Sequence, residues 1–371
     1  MKILIDLTSL ADNFSGIERY ALNISLQLIK NENHKFVLCF KEKVFPEFEN
    51  FSAQSNVEFV VIKKCNKLMF YQFRLPAVLR KYKVDYYLFL AFPVPLLFRK
   101  KNIIATVHDL CCWDCPETMT AKSRAYFKAG IKHSVKISKK IITVSEFSKS
   151  RIIEKFHCDN EKVVVCYDGV EEKFLKYGQL KHHNDEIVKK YKLPDKYILS
   201  LSTLEPRKNI KLLLKAYDCL VKENNDIHEL VLAGRAGWKI NDLMEGIDEV
   251  TKAKIHFTGF IDDSDLPDVY GFAKFFVFPS KYEGFGLPPL EALACGVLVV
   301  SSDAASLPEV LDDSAIYFEN ENCESLKNAM QSAFSISQKE SNQLIENGIL
   351  QANKFLWSEE AEKILNSLIL M

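Results

Sequence analysis

Phe278-Pro279-Ser280-Lys281-Tyr282-Glu283-Gly284-Phe285-Gly286-Leu287-Pro288-Pro289-Leu290-Glu291-Ala292-Leu293-Ala294-Cys295-Gly296-Val297 begins as an apolar strand, passes a glycine-bearing loop and continues as a helix. A proline at 288 or 289 suits a first helical turn, where its missing N–H costs nothing. Gly284 and Gly286 allow the backbone to approach a ligand closely. The N–H groups that open the helix favour a phosphate. Glu283 lies in the loop and Glu291 in about the first turn of the helix. Carboxylates repel a phosphate but accept hydrogen bonds from hydroxyls. The stretch therefore suits a ligand that is anionic at one end and polyhydroxylated at the other.

Outward from this segment, short apolar runs alternate with helical stretches. Upstream lie the strand-like runs Tyr197–Leu201, Leu230–Leu232, Lys254–Thr258 and Phe275–Phe278, with a helix from about Ile210; Val297–Val300 follows downstream. The first half repeats the pattern with Lys2–Thr8, Lys35–Phe40, Val57–Ile62, Val84–Leu90, Asn102–Val107, Lys140–Val144 and Lys162–Cys166, and with helices over Ile17–Lys30 and Lys122–Lys139. Such alternation predicts parallel sheets with right-handed crossovers. The polar stretch Glu171–Lys190, with Gly178 and His182-His183, reads as a linker. The expected organisation is a first domain over residues 1–178, a second over 190–352, and an amphipathic terminal helix within 353–371. Ligands of doubly wound sheets bind at strand carboxyl ends.

Ser202-Thr203-Leu204-Glu205-Pro206-Arg207-Lys208-Asn209 follows the first strand of the second domain and places two adjacent cations before a helix. Such a pair can neutralise a diphosphate as it becomes a leaving group. In the first half, Ser15-Gly16-Ile17-Glu18-Arg19 opens the first long helix, and Gly16 offers another N-terminus to a diphosphate. This is not a Rossmann fingerprint, because G-x-G-x-x-G is missing.

The segment around Glu283 and Glu291, an E-x7-E embedded in P-S-x-x-E-G-F-G-L-P-x-L-E-A, resembles glycosyltransferase family 4, the retaining enzymes of the GT-B fold. The resemblance covers nearly the whole chain. It implies an α/β architecture of two doubly wound Rossmann-like domains facing across a cleft, the first binding the acceptor and the second the nucleotide sugar, with the C-terminal helix crossing back to the first. It implies that Glu283 contacts the transferred sugar and Glu291 the ribose hydroxyls. Backbone N–H groups near Phe285, Gly286 and Leu287 would hold sugar or phosphate, and Arg207 and Lys208 the diphosphate. Loops at Gly234 and Gly259-Phe260 would take the nucleobase, with Arg235 and Trp238 as neighbours. His108, in His108-Asp109, would hydrogen-bond the transferred sugar and align the acceptor. Two departures stand out: relatives often carry an arginine about six residues before the lysine, where this chain has Ser202-Thr203, and two glycines where it has Ser15-Gly16. Leu204-Glu-Pro-Arg-Lys-Asn209 resembles the mannosyltransferase branch, which points to GDP-mannose as donor. The alternatives are a UDP-sugar donor, a sugar-nucleotide epimerase, or a non-catalytic sugar-nucleotide binding subunit.

Composition fits this reading. The 371 residues exceed one ordinary core and suit two domains; 48% are hydrophobic and 26% charged, as in globular proteins. Neither a signal peptide nor a membrane span is expected, because Met1 leads directly into a strand and no run of about 18 apolar residues exists. Ten unevenly spaced cysteines suggest a reducing cytoplasm. Cys112 and Cys115, with Cys111 and His108 nearby, lack the second pair that a zinc site needs. Neither Asp262-Asp263-Ser264-Asp265 nor Asp312-Asp313 is placed like a metal motif. No metal and no cofactor are expected, the nucleotide sugar being a substrate.

The net charge of zero conceals an asymmetry. Residues 1–180 hold 29 Lys+Arg against 19 Asp+Glu, leaving 20 and 30 for the remainder. Lys128, Lys132, Lys136 and Lys140 recur every fourth residue, a pattern that predicts a cationic helix stripe. Lys63, Lys64, Lys67 and Arg74 are interleaved with Met69, Phe70, Tyr71 and Phe73. Basic and aromatic residues together suit the headgroup level of an anionic membrane. Nucleic acid is not expected, since no recognition module accompanies the charge. The expected partners are a nucleotide-diphosphate sugar, a glycan or lipid-linked oligosaccharide acceptor, and the inner face of the cytoplasmic membrane.

Overall fold

The computed structural model describes residues 1–11, 16–180, 184–224, 226–235, 237 and 243–369. These form two compact units, Met1–Gly169 with Leu356–Met371, and Val170–Phe355. The first unit holds strands β1 (Lys2–Asp6), β2 (Lys35–Lys41), β3 (Val57–Ile62), β4 (Tyr86–Phe89), β5 (Ile103–Thr106), β6 (Lys140–Thr143) and β7 (Val163–Val165). The second holds β8 (Tyr197–Leu201), β9 (Glu229–Ala233), β10 (Ile255–Gly259), β11 (Phe276–Phe278), β12 (Val299–Ser302) and β13 (Ala315–Phe318). The helices that matter below are α1 (Gly16–Ile29), α2 (Ala121–Ile137), α3 (Glu172–Leu180), α4 (Asp185–Tyr191), α5 (Ile210–Glu223), α6 (Leu287–Ala294), α7 (Cys323–Ser335) and α8 (Trp357–Ile369).

Both sheets are parallel throughout, and their central strands are covered on both faces and read as apolar runs, while the edge strands β3 and β10 are partly exposed. Ile3, Leu4 and Ile5 of β1 and Ile198 and Leu199 of β8 are wholly buried. Helix α5 turns Leu213, Leu214 and Tyr217 onto its sheet, each contributing roughly 1.5–3 kcal/mol by leaving water.

The first sheet runs β3-β2-β1-β4-β5-β6-β7 and the second β10-β9-β8-β11-β12-β13. In the first, the chain winds outward from β1 to β3, then restarts beside β1 with β4 and winds the other way. The reversal in the second lies between β8 and β11. Loops leaving the carboxyl ends of strands at such a reversal diverge, and the crevice between them is where open α/β sheets bind ligands.

Three sequence expectations need correction. The stretch Glu171–Lys190 is not simply a linker, because it carries α3 and α4. Gly178 is no breaker: a Cβ there would lie 2.1 Å from the Ala294 carbonyl oxygen, so the glycine lets α3 pack closely against the end of α6. The lysine stripe is shorter than its spacing suggests. Helix α2 ends at Ile137, and Lys140 opens β6, its ammonium donating to the Glu161 carbonyl. Of the others, Lys132 and Lys136 are exposed, while Lys128 lies over the Trp113 ring at 5.7 Å. The third is β13, a strand that the sequence reading leaves out.

The terminal helix α8 belongs to the first unit, where it packs on α1. Trp357 meets the Tyr20 ring at 5.9 Å, and the buried Glu360 carboxylate accepts the Tyr167 backbone N–H at 2.9 Å. Burial and the neighbouring Glu360 hold Asp168 well above the ordinary carboxylate range, and burial also raises Glu360. Among the described residues, no helix is long and apolar enough to cross a membrane.

Candidate active site

The reversal point of the second sheet gathers the charged residues that the sequence singles out. Arg207 and Lys208 leave β8 through a single helical turn, Pro206–Lys208, and Glu283 leaves β11. These two loops are neighbours because β8 pairs with β11. Glu283 is 6% exposed. Its carboxylate accepts from Lys208 Nζ at 2.5 Å, from Arg207 Nη1 at 2.9 Å and from the Ser280 hydroxyl. Burial works against the charge, but Arg207 and Lys208 outweigh it and hold the Glu283 pKa below its ordinary value. Burial lowers Lys208 despite the pull of Glu283. The Lys208 ammonium also lies 5.0 Å over the Phe278 ring.

Arg207 is fixed from three sides. It donates to Glu205 at 3.1 Å, to the Tyr282 carbonyl at 3.0 Å and to Glu283. Its own carbonyl accepts the Lys281 N–H at 2.9 Å. Small hydroxyls tie the glycine loop down: Ser302 donates to the Ser280 carbonyl at 2.6 Å, and Ser306 donates to the carbonyls of Glu283 and Phe285 at 3.0 and 2.9 Å. Gly286 precedes α6 with φ +117°, a conformation that an L side chain rarely takes, and a Cβ there would lie 2.7 Å from Leu307 Cδ2. Glu291 is 3% exposed and accepts the Tyr270 hydroxyl at 2.9 Å. The Phe285 and Leu287 side chains are buried, so what that turn can offer a ligand is its backbone.

Glu283, Arg207 and Lys208 thus form one cluster, while Glu291 stands on the helix that the glycine loop opens. The structure places the cations on the Glu283 carboxylate, an arrangement that the sequence reading, which assigned them to the diphosphate alone, did not contain. Ser280, Ser306, Glu205 and Tyr270 went unremarked as well. Ser280 and Glu205 lie inside the quoted motifs and could have been found there. Tyr270 comes from a separate helix and gives no signal.

Gly234, with φ +126°, ends β9, and a Cβ there would lie 2.0 Å from the Ser202 carbonyl oxygen. Close approach of backbone to backbone explains this glycine without a ligand. Phe260 is 45% exposed beneath the Arg235 guanidinium, 4.5 Å from its ring centre. That stack is an open, cationic aromatic platform beyond β10. Trp238 lies outside the described residues.

In the first unit, His108 follows β5. Its Nε2 lies 2.9 Å from the Leu90 carbonyl, which makes Nε2–H the donor and Nδ1 the acceptor of a neutral ring. Burial lowers its pKa, and Tyr20 meets it edge-on at 5.1 Å. Gly16 is exposed at the start of α1; Ser15 lies outside the described residues. Cys111 and Cys112, three and four residues after His108, are buried, and burial raises Cys112 to about 12. Of the aspartates that might have suggested a metal, Asp262 and Asp265 accept from Lys190 at 2.7 and 2.6 Å, and Asp263 pairs with Lys173.

Residues 183–351 match the family model described as glycosyl transferases group 1, and residues 14–174 match that of Glycosyltransferase Family 4. The O-antigen chain mannosyltransferase B of Escherichia coli is 30% identical, with 99% of each chain covered. The chain belongs to the family-4 glycosyltransferases. A second relative, the O-antigen chain mannosyltransferase RfbU of Salmonella typhimurium, is 31% identical over 64% of this chain and 61% of that one. Among solved structures, WaaG, a glycosyltransferase involved in lipopolysaccharide biosynthesis, superposes with a TM-score of 0.73 at 14% identity over 99% of both chains. Anabaena HepE in complex with UDP and glucose gives 0.73 at 16% identity over all of both. At these identities the structures speak for the GT-B fold alone.

Proposed function

We propose that this glycosyltransferase moves a mannosyl group from GDP-mannose, with retention, to a glycan acceptor of surface-polysaccharide synthesis carried on a lipid. The observation that carries the reading is the buried cluster of Arg207, Lys208, Ser280 and Glu283 at the reversal point of the second sheet, in a chain related along its full length to an O-antigen mannosyltransferase. A diphosphate entering there competes with Glu283 for two cations already in place. As the sugar–oxygen bond breaks, charge grows on the departing diphosphate, and Lys208, Arg207 and the N–H groups opening α6 stabilise it. Glu283, released from part of its pairing, accepts from sugar hydroxyls, and Glu291 from the ribose. The acceptor hydroxyl attacks from the same face, and its proton passes to a phosphate oxygen. His108, with Nε2–H committed to Leu90, offers Nδ1 as an acceptor to a hydroxyl. Two cationic side chains stand where other transferases use a divalent ion, so the reaction needs no metal. Arg235 over Phe260 suits the guanine ring, by stacking and cation–π attraction.

The same reading places the enzyme reversibly on an anionic membrane face. With Lys140 removed from the stripe, the better support is the segment Lys63–Arg74. There Leu68, Met69 and Phe73 are 67%, 52% and 52% exposed, among the exposed Lys63, Lys64, Lys67 and Arg74. Lys132 and Lys136 add long-range attraction.

A panel of sugar nucleotides scored by thermal shift, with product nucleotide then measured in the presence of acceptor glycan, tests the donor assignment. GDP-mannose should give the largest shift and release GDP. A shift from UDP-sugars with none from GDP-mannose would overturn that assignment, and turnover without free nucleotide would overturn transfer.

A further inference from the structure

Glu291 does not stand alone on α6. Its Oε2 accepts the Tyr270 hydroxyl at 2.9 Å, and both side chains are buried. Tyr270 lies on the short helix Leu266–Gly271, so the bond ties α6 to an element 21 residues back in the chain. A phenol donates a single hydrogen and a carboxylate accepts it, which leaves the hydroxyl committed to this one oxygen.

The Tyr270 ring is clamped. Phe276 of β11 meets it at 5.4 Å and 67°, and Phe174 of α3 meets it at 6.0 Å and 74°. All three rings are wholly buried. The next residue, Gly271, lets α3 close in, since a Cβ there would lie 2.1 Å from Tyr177 Cε1. Gly178, on the same α3, packs against the Ala294 carbonyl at the end of α6. One helix therefore grips both partners of the bond: the tyrosine through Phe174, and the helix that bears the carboxylate through Gly178. A ring packed on two sides cannot follow a wandering carboxylate, so the carboxylate is held to the ring.

From this geometry we propose that Tyr270 is a positioning residue for ribose: acting through Glu291, it sets the preference of the site for a ribonucleoside diphosphate over one that lacks the ribose hydroxyls. The assignment rests on the proposed function above, in which Glu291 accepts from the ribose. A glutamate that swings through its rotamers must be frozen by the ligand, and that ordering weakens binding. Tyr270 does the freezing in advance, with one oxygen engaged and the plane of the carboxylate set. A ligand that carries the hydroxyls then meets an acceptor already aimed, whereas a ligand without them gains nothing from the aim. Phenylalanine at 270 keeps the ring contacts and removes only the hydroxyl that does the aiming.

The full-length enzyme is titrated calorimetrically with GDP and with UDP, and whichever binds more tightly is compared with its 2′,3′-dideoxy analogue. Wild type should prefer the ribo form by about tenfold or more. Tyr270→Phe should narrow that preference to threefold or less, with the dideoxy analogue bound within twofold of wild type, a sign that the fold and the diphosphate contacts are intact. In Glu291→Gln, where the preference is already narrowed, adding Tyr270→Phe should change it less than twofold. If Tyr270→Phe does not fold, Phe174→Leu, which keeps the hydroxyl and loosens the ring, takes its place and should narrow the preference at least threefold. The proposal is overturned if the preference in the variant stays within twofold of wild type, or if ribo and dideoxy forms weaken alike. It is also overturned if Tyr270→Phe narrows the preference as much in Glu291→Gln as in wild type. A wild-type enzyme that binds both forms equally, or neither diphosphate, would instead refute the parent reading of the site.

Discussion

Replacing Glu283 with glutamine keeps the side chain's shape and removes its charge from between Lys208 and Arg207. At contacts of 2.5 and 2.9 Å, and an effective dielectric of about 20, each cation is attracted to that carboxylate by roughly 6 kcal/mol before desolvation is counted. On the proposed reading a diphosphate draws on the same cations, so the native carboxylate would weaken diphosphate binding as it positions the sugar. The variant should therefore bind the nucleoside diphosphate product more tightly, by about tenfold or 1.4 kcal/mol, because only part of the freed attraction is recovered. Turnover should fall at least a hundredfold, about 3 kcal/mol of lost transition-state stabilisation. Titration calorimetry with the product diphosphate and a steady-state transfer assay read the two effects separately. A variant that keeps more than half of normal turnover, or binds diphosphate no more tightly, refutes the competition. The pH dependence carries the same sign. The Glu283 pKa is depressed in the fold, so its stabilisation is present above the unfolded pKa and lost as pH falls through the folded one. Thermal unfolding of the glutamine variant should lack that acid-side loss.

Asp168→Asn should raise the melting temperature at pH 8 and much less at pH 4. The raised pKa of Asp168 makes its protonated form the favoured one in the fold, so its contribution is lost as pH rises through the folded pKa; a gain independent of pH would contradict this. Activity in excess chelator should lie within twofold of activity with magnesium, and a strict divalent requirement would remove Lys208 and Arg207 from the leaving-group role. Gly286→Ala should lower both stability and donor response, since its φ of +117° strains any L side chain and Leu307 Cδ2, 2.7 Å from a Cβ, would have to move; an unchanged thermal shift with donor would refute it. Anionic vesicles should pellet the wild-type chain at low salt. Leu68→Ser with Phe73→Ser should abolish pelleting, whereas Lys132→Gln with Lys136→Gln should weaken it only in part; the opposite order would return the contact to α2.

The strands were legible because parallel sheets bury both faces and leave unbroken apolar runs such as Ile3-Leu4-Ile5 and Val299-Val300. β13 escaped because Ala315–Phe318 is four residues with two only half-buried. Gly178 misled because a glycine demanded by packing and a glycine in a linker look alike until the neighbour, here Ala294, is known. The lysine spacing misled for a related reason: a repeat of four continues across Ser138, where the backbone has already left the helix. Glu283, Glu291, Arg207 and Lys208 stood out because the first two sit in a strand–glycine loop–helix motif that resembles family 4 and the other two are adjacent cations between a strand and a helix. Their pairing did not, since loops 75 residues apart become neighbours only when β8 and β11 pair.

The return of α8 to the first unit gives the molecule a timetable. On a growing chain, Val170–Phe355 is contiguous and can close as soon as it is free. The unit begun by Met1 must wait for Trp357–Ile369 to be made before Tyr20 is covered by Trp357 and Tyr167 by Glu360. The unit begun first is thus completed after the one that follows it. A ribosome stalled before α8 has emerged leaves the unit begun by Met1 unfinished beside a finished Val170–Phe355. Supplying the missing helix as a separate peptide should then complete the former without touching the latter.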